Sequence, residues 1–298
     1  MTQVLNSSLP QENMLAIRSE TNKRDINEDS FVVLSFHIGI DGPPVTVLAV
    51  ADGMGGYAHG EVISRDALKK YATTLFHTLA VDHCLNVISP RALTAGAISE
   101  AVLAAIEETN SFVVNMINEN GWGKAGSTIV TAVIWESWVI AMNLGDSPLF
   151  HYQPRTRAFT KITEDHSVAA ALARAGVIPP DMIQAHEGRS QLQYFLGGTA
   201  FPRNYGPIVF RLESDDVLLL CSDGICGKVP EQSLAEIVGQ RNLHLGVIAD
   251  RLIQASGETG ETDNQTLILW RCTLTEPVVS GGGQTMVLGS PRVEDDTE

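Results

Sequence analysis

Residues 129–144 read IVTAVIWESWVIAMNL, two β-rich runs parted only by Glu136-Ser137. A two-residue break between such runs marks a tight hairpin, so 129–135 and 138–144 are expected to pair antiparallel. Runs at 150–152 and 159–162 continue the antiparallel series. Upstream, strand patterns lie at 14–19, 31–36 and 45–50; downstream they lie at 217–220 and 266–272. Too many strands follow one another without a crossover helix for a doubly wound parallel sheet.

Helical blocks interrupt the strands. One is expected over 61–79, just after the glycines of 53–56. In a second, Ile98, Val102, Ala105, Ile106, Thr109, Val113, Met116 and Ile117 share one face of 3.6-residue period. A third is expected as a single helix over 231–256. The resulting fold is α+β: two antiparallel sheets face one another, and helices cover their outer faces. Residues 1–13 are expected to be a flexible N-terminus and 14–272 one domain. Within it, 167–205 break the pattern as an insertion with a short helix at 168–175. Loops of that length usually carry function. Residues 273–298, with glycines 281–283 and an acidic end, are expected to be a disordered tail.

Composition narrows the function. At 298 residues, 44% hydrophobic and 18% charged, the chain can bury a sizeable core. The net charge of −15 argues against nucleic-acid or anionic-membrane partners, which recruit Lys and Arg. Residues 275–298 hold five acids against Arg292 alone, and the remaining acidity suits a site that cations neutralise. Cys84, Cys221, Cys226 and Cys272 show no metal or redox spacing and read as buried thiols. No basic residue precedes Arg18, no long apolar run opens the chain, and no stretch has the length of a membrane span. A soluble, cytoplasmic protein is expected.

The chemistry lies in five acidic segments: RDINEDS (24–30), AVADGMGG (49–56), NLGDS (143–147), LLLCSDG (218–224) and TDNQTLIL (262–269). Asp52, Asp146 and Asp223 each follow an apolar strand run, and Asp263 precedes one. An unpaired carboxylate at such a place is costly to bury, yet it suits a hard divalent cation that takes oxygen ligands. The pattern predicts a carboxylate cage for Mg²⁺ or Mn²⁺. Gly53, lacking a side chain, lets its carbonyl approach a cation. Singly, each Asp could equally cap a turn or helix.

In this order, RxxNED, DGMGG, GST, GDS, TxDHS, SDG and DNxT closely resemble the metal-dependent protein phosphatase family of type 2C, over roughly residues 14 to 272. The resemblance implies a four-layer α-β-β-α sandwich and hydrolysis of phosphoserine and phosphothreonine in proteins. It implies in-line attack by a metal-activated water, with no phosphoenzyme. It casts Asp52 as the bridge between two tightly held metals, the Gly53 carbonyl as a ligand of one of them, and Asp223 and Asp263 as the remaining ligands of the first. Glu28 becomes the ligand of the second, and Asp29 the residue orienting its water. Asp146, with Asp223, would hold a third, weaker metal. Arg24 would bind phosphate, against the plainer reading of a surface Arg paired with Asp25 or Glu28.

The family usually carries Arg after GDS, whereas Pro148 stands here, which removes a cation beside Asp146. Met54 stands where animal members carry a proposed general-acid His, and a thioether donates no proton. His59 is a weak candidate acid, and His166 is expected to fix a loop. Gly126-Ser127-Thr128 is expected to be structural, and Trp122, Trp135, Trp138 and Trp270 to be core or sheet aromatics rather than stacking platforms. The insertion matches the family's flap, whose Arg174, Arg189 and Arg203 could touch a phosphopeptide or simply be solvated.

Partners implied are phosphorylated proteins, with substrates offering basic flanks, and a cognate Ser/Thr kinase. Thr285 in the tail is a candidate phosphorylation site for a phosphothreonine-binding domain, against the plainer reading of an inert tail. The competing readings are a catalytically weak phosphoprotein-binding regulator and a two-metal hydrolase of small phosphoesters. No cage carboxylate is missing, which weighs against the first, and no GxxxxGKS loop is present, which weighs against nucleotide triphosphates.

Overall fold

The computed structural model describes residues 14–38, 42–55, 59–82, 93–203 and 205–273. The expected N-terminal extension, Cys84, Gly56, Thr285 and nearly all of the acidic tail lie outside them.

Two antiparallel sheets form the centre. One has the order β1 (Leu15–Glu20), β11 (Gln265–Arg271), β10 (Val217–Cys221), β7 (Leu149–Gln153), β8 (Ala158–Lys161). The other runs β2 (Asp29–His37), β3 (Pro44–Met54), β5 (Ile129–Trp135), β6 (Trp138–Leu144), β9 (Ile208–Arg211), with β4 (Gly126–Ser127) on the end of β3. The hairpin read from 129–144 closes with Trp135 opposite Trp138, and Glu136 takes the φ of 54° its turn needs.

Three cores separate four layers. Between the sheets, Leu48, Val50, Val130 and Ala132 meet Leu218, Leu220 and Ile268. The alternate residues of the same strands face outward. Val47, Ala49 and Ala51 of β3 pack under α1 (His59–Phe76) and α2 (Ala95–Asn120). Leu219, Cys221, Leu267 and Leu269 pack under α4 (Asp223–Cys226), α5 (Glu231–Val238) and α6 (Leu245–Glu258). Strands covered on both faces read as continuous apolar runs, which is why 45–50 and 217–220 are so legible. α3 (Val168–Arg174) lies in the insertion. No helix among the described residues is long and apolar enough to cross a membrane.

Local expectations need correcting. The single helix expected over 231–256 is two, α5 and α6. Gly239 ends α5 with its N–H on Ala235 and Ile237 carbonyls, packed closely against the Tyr152 ring, and 239–244 turn the chain. The 61–79 helix starts at His59 and widens into a π-helical turn over His77–Asp82. Strands β4 and β9 were not expected. Trp122 packs against the α1–α2 core and stacks on His59 at 4.8 Å between ring centroids. Cys221 and Cys272 are buried, while Cys226 is partly exposed.

Candidate active site

Seven of the eight candidate residues wall one cavity of about 330 Å³: Arg24, Glu28, Asp52, Gly53, Asp146, Asp223 and Asp263. The sandwich brings them together. Asp52 lies near the end of β3, Asp146 after β6, Asp223 after β10 at the start of α4, and Asp263 just ahead of β11. Both sheets therefore contribute acids to the same edge.

Each acid is held by its backbone. Asp52 donates its N–H to Thr128 Oγ1 (2.9 Å), and its carbonyl accepts from Thr128 N–H (2.8 Å) and Ser127 Oγ (3.0 Å). Gly145, at φ 115°, presses against Thr128, where a Cβ would lie 2.7 Å from the threonine side chain. Gly53 has no room for a side chain: a Cβ there would lie 2.1 Å from the Gly60 carbonyl oxygen and 2.8 Å from that of Glu28. Asn264 links the RDINEDS loop to Asp263. It accepts from Glu28 N–H (2.9 Å) and donates to the Thr21 and Ile26 carbonyls (2.9 and 3.0 Å). Arg24, half-exposed, pairs with Asp263 at 2.8 Å. Pro148 causes no local disruption, its carbonyl accepting from Cys221 N–H (3.2 Å).

Asp29 is the exception. It does not line the cavity, although it sits directly opposite Asp52 across β2 and β3. Its Oδ2 accepts from Ser222 Oγ (2.7 Å), and its buried Oδ1 has no hydrogen bond among the described residues. Like charges opposite one another weaken a sheet.

The electrostatics record the crowding. Burial, then the charges of Asp29, Asp223, Asp146 and Asp263, push the Asp52 carboxyl well above its ordinary value. Burial, with Asp223 and Asp165, pushes Asp146 up to about 8. Burial, with Asp263 and Glu261, pushes Asp223 up to about 6. Asp29 rises to about 7, chiefly by burial, against the pull of the Ser222 hydrogen bond. Glu28 is also raised by burial. The acids face the cavity from separate walls, and among the described residues no three His, Cys, Asp or Glu side chains close into a ligand set. Besides Asp263, which Arg24 pairs, four further carboxylates crowd this one cavity. They nonetheless fit hard divalent cations, which take oxygen donors and supply the missing positive charge.

Sequence relatives show the family. The serine/threonine phosphatase stp of Listeria monocytogenes is 31% identical over 237 residues, 79% of this chain and 87% of that one. The chain belongs to the type 2C family of serine/threonine protein phosphatases. The crystal structure of Stp1 from Staphylococcus aureus matches with a TM-score of 0.69 and 26% identity, covering 87% of this phosphatase and 94% of that chain. The PstP catalytic domain, solved with two manganese ions, matches in fold with a TM-score of 0.65 at 24% identity, covering 87% and 97%. No protein-family model matches the chain.

Five residues of this phosphatase's cavity wall were not singled out as site residues by sequence: Met54, Gly55, Thr128, Ser190 and Leu192. Thr128 carries a signal in its GST motif; the two flap residues carry none. His166 is buried, accepts from Gly145 N–H at Nδ1 (3.1 Å) and is held down to about 4 by burial and Arg174. It is a neutral loop anchor. His59, stacked on Trp122, does not line the cavity. Of the flap arginines, Arg174 pairs with Glu164 at 2.9 Å, while Arg189 lines a neighbouring cavity.

Proposed function

We propose that this phosphatase hydrolyses phosphoserine and phosphothreonine in proteins with Mg²⁺ or Mn²⁺ held at the carboxylate cavity, opposing a Ser/Thr kinase. The observation that carries the reading is the convergence of Glu28, Asp52, Asp223 and Asp263 from both sheets on one cavity with Arg24 at its rim. Glu28, Asp52, the Gly53 carbonyl, Asp223 and Asp263 would hold two cations, and Asp146 with Asp223 a third, weaker one. When bound, such cations polarise a phosphoryl group and acidify a water.

The chain's own residues do the rest. Arg24 offers a planar guanidinium to phosphate oxygens beside the acids, a geometry that Lys lacks. Thr128 and Asn264 hold the backbone of Asp52 and the Glu28 loop in place. Asp29, tied to Ser222 Oγ and outside the cavity lining, has no direct place on the substrate. Met54 lines the wall and carries no proton, and His166 is committed to Gly145. Among the described residues, no histidine side chain lines this cavity to protonate the leaving alkoxide.

The test is hydrolysis of a phosphothreonine peptide and of a nucleotide, each with Mn²⁺ and with EDTA. Peptide turnover only with metal is expected. Equal peptide turnover after full chelation would overturn the reading, and faster nucleotide than peptide turnover would favour a small-phosphoester hydrolase.

A further inference from the structure

The first turn of α1 stands directly behind two of the proposed metal ligands. Its Gly60 is wedged between them: a Cβ there would lie 2.4 Å from Glu28 Oε1 and 2.8 Å from the Gly53 carbonyl carbon. One turn on, the Ser64 hydroxyl donates to the Glu28 carbonyl at 2.6 Å. Burial raises the Glu28 carboxyl, and a hydrogen bond from the Gly60 N–H is among the effects that pull it back. A helix start leaves such N–H groups without partners in the helix, and an acid placed there is favoured. The seating of this turn therefore sets where Glu28 and the Gly53 carbonyl lie.

A ring pair fixes the turn from outside. Ile63 is the first apolar side chain of α1 in the buried core. Ahead of it His59, the first residue of the helix, lies flat on Trp122, with ring centroids 4.8 Å apart and planes 13° from parallel. Trp122 is itself anchored at the end of α2. Gly121, at φ 67°, caps that helix with its N–H on the Asn118 carbonyl, and the Trp122 N–H donates to the Ile117 carbonyl at 3.1 Å. Neither ring lines the active-site cavity.

We infer that the His59–Trp122 stack is a positioning pair, seating the first turn of α1 so that Gly60 holds Glu28 and the Gly53 carbonyl ready for metal. The inference rests on the metal reading above. Without the stack the turn is released from α2, and a cation must order Glu28 itself, which weakens its binding. Groups that orient ligands without touching the ion change metal affinity or activity by roughly 10–100-fold when removed. Turnover with metal bound should change little, because neither ring reaches the cavity.

The experiment measures Mn²⁺ binding to the full chain by titration calorimetry, beside turnover of para-nitrophenyl phosphate across Mn²⁺ concentrations. His59→Ala and Trp122→Leu should each weaken a Mn²⁺ Kd about tenfold and raise the half-activating concentration in step. Turnover at saturating Mn²⁺ should stay close to wild type. Trp122→Phe keeps a ring that can stack and should bind Mn²⁺ as wild type does, whereas Leu only fills the space. The double variant should lose no more than either single one, because the two rings act as a unit. Unchanged Mn²⁺ affinity in both single variants overturns the inference, even if their Tm in EDTA falls, since that fall marks a merely structural contact. Equal losses in Trp122→Leu and Trp122→Phe overturn it too. A wild-type chain that binds no Mn²⁺ overturns the underlying metal reading instead.

Discussion

Replacing Asp146 with Asn should strengthen the chelated protein while weakening its response to metal. Burial and the neighbouring Asp223 and Asp165 push the Asp146 carboxyl up to about 8 from an ordinary 3.8. Between those values the unfolded chain has released its proton and the folded one still holds it. Folding stability therefore falls as pH rises through that window, and the penalty is absent below about pH 4. At pH 7 the ceiling is roughly 4 kcal/mol, about three pKa steps at 1.36 each. Asn keeps the shape and removes the titration, so in EDTA at pH 7 it should recover at least about 1 kcal/mol. That is roughly 2–4 °C in Tm for a domain of this size. The assay is thermal unfolding of both proteins at pH 7 and pH 4, in EDTA and in Mn²⁺. The gap should shrink at pH 4. In Mn²⁺ it should narrow or reverse, because metal binding stabilises most the form that binds it best. A variant no more stable than wild type in EDTA at pH 7 would refute the claim that burial and neighbouring charge penalise the Asp146 carboxylate in the folded chain.

Asp52→Asn and Asp223→Asn should each abolish metal-dependent turnover with the circular dichroism spectrum retained; normal activity in both would end the cage reading. Gly53→Ala should cost about 1–3 kcal/mol in urea unfolding, because the added Cβ meets backbone rather than a movable side chain. An unchanged midpoint would show that α1 can shift freely. Arg24→Lys should lower kcat/KM on phosphopeptide about tenfold, since Lys cannot offer two parallel N–H groups. His166→Ala should cost about 1–3 kcal/mol by leaving the Gly145 N–H unpaired, yet keep the shape of the pH–rate profile. A lost limb in that profile would make His166 a proton carrier.

The parts of the fold that were legible are those where burial dictates residue type. β3, β5, β6 and β10 are covered on both faces, so their apolar runs stand out. β9 was missed because Ile208, Val209 and Arg211 are exposed and IVFR is only four residues long. The break between α5 and α6 was invisible to periodicity, since Leu234, Val238, Leu245 and Ile248 keep helical phase across it and pack on the same sheet. In the site, the strand-end aspartates were legible because Asp52, Asp146 and Asp223 repeat one pattern, an acid beside Gly after an apolar run, although any one alone could be a turn or cap. The placement of Asp29 was not. Adjacent side chains at a strand start point to opposite faces, so Glu28 reaches the cavity under Gly60 while Asp29 turns toward Ser222. Which of two neighbouring acids faces which way depends on a register that only pairing with β3 supplies.

The sandwich also explains why such a repulsive cluster persists. Its three apolar cores run up to the acids, with Val50 and Ala51 fully buried before Asp52 and Leu220 and Cys221 before Asp223. Packing therefore fixes strand ends that carry like charges. Asp52 lies in the sheet that includes β3 and Glu28 just ahead of its β2, while Asp223 follows β10 and Asp263 precedes β11 of the other sheet. Cations held by these four would link the two sheets at the edge where charge pushes them apart. Arg24, already paired with Asp263, partly plays that role from within the chain. Metal affinity and cohesion between the sheets should therefore be coupled: a substitution that loosens the inter-sheet core at Val50 or Ile268 should weaken metal binding although it touches no acid.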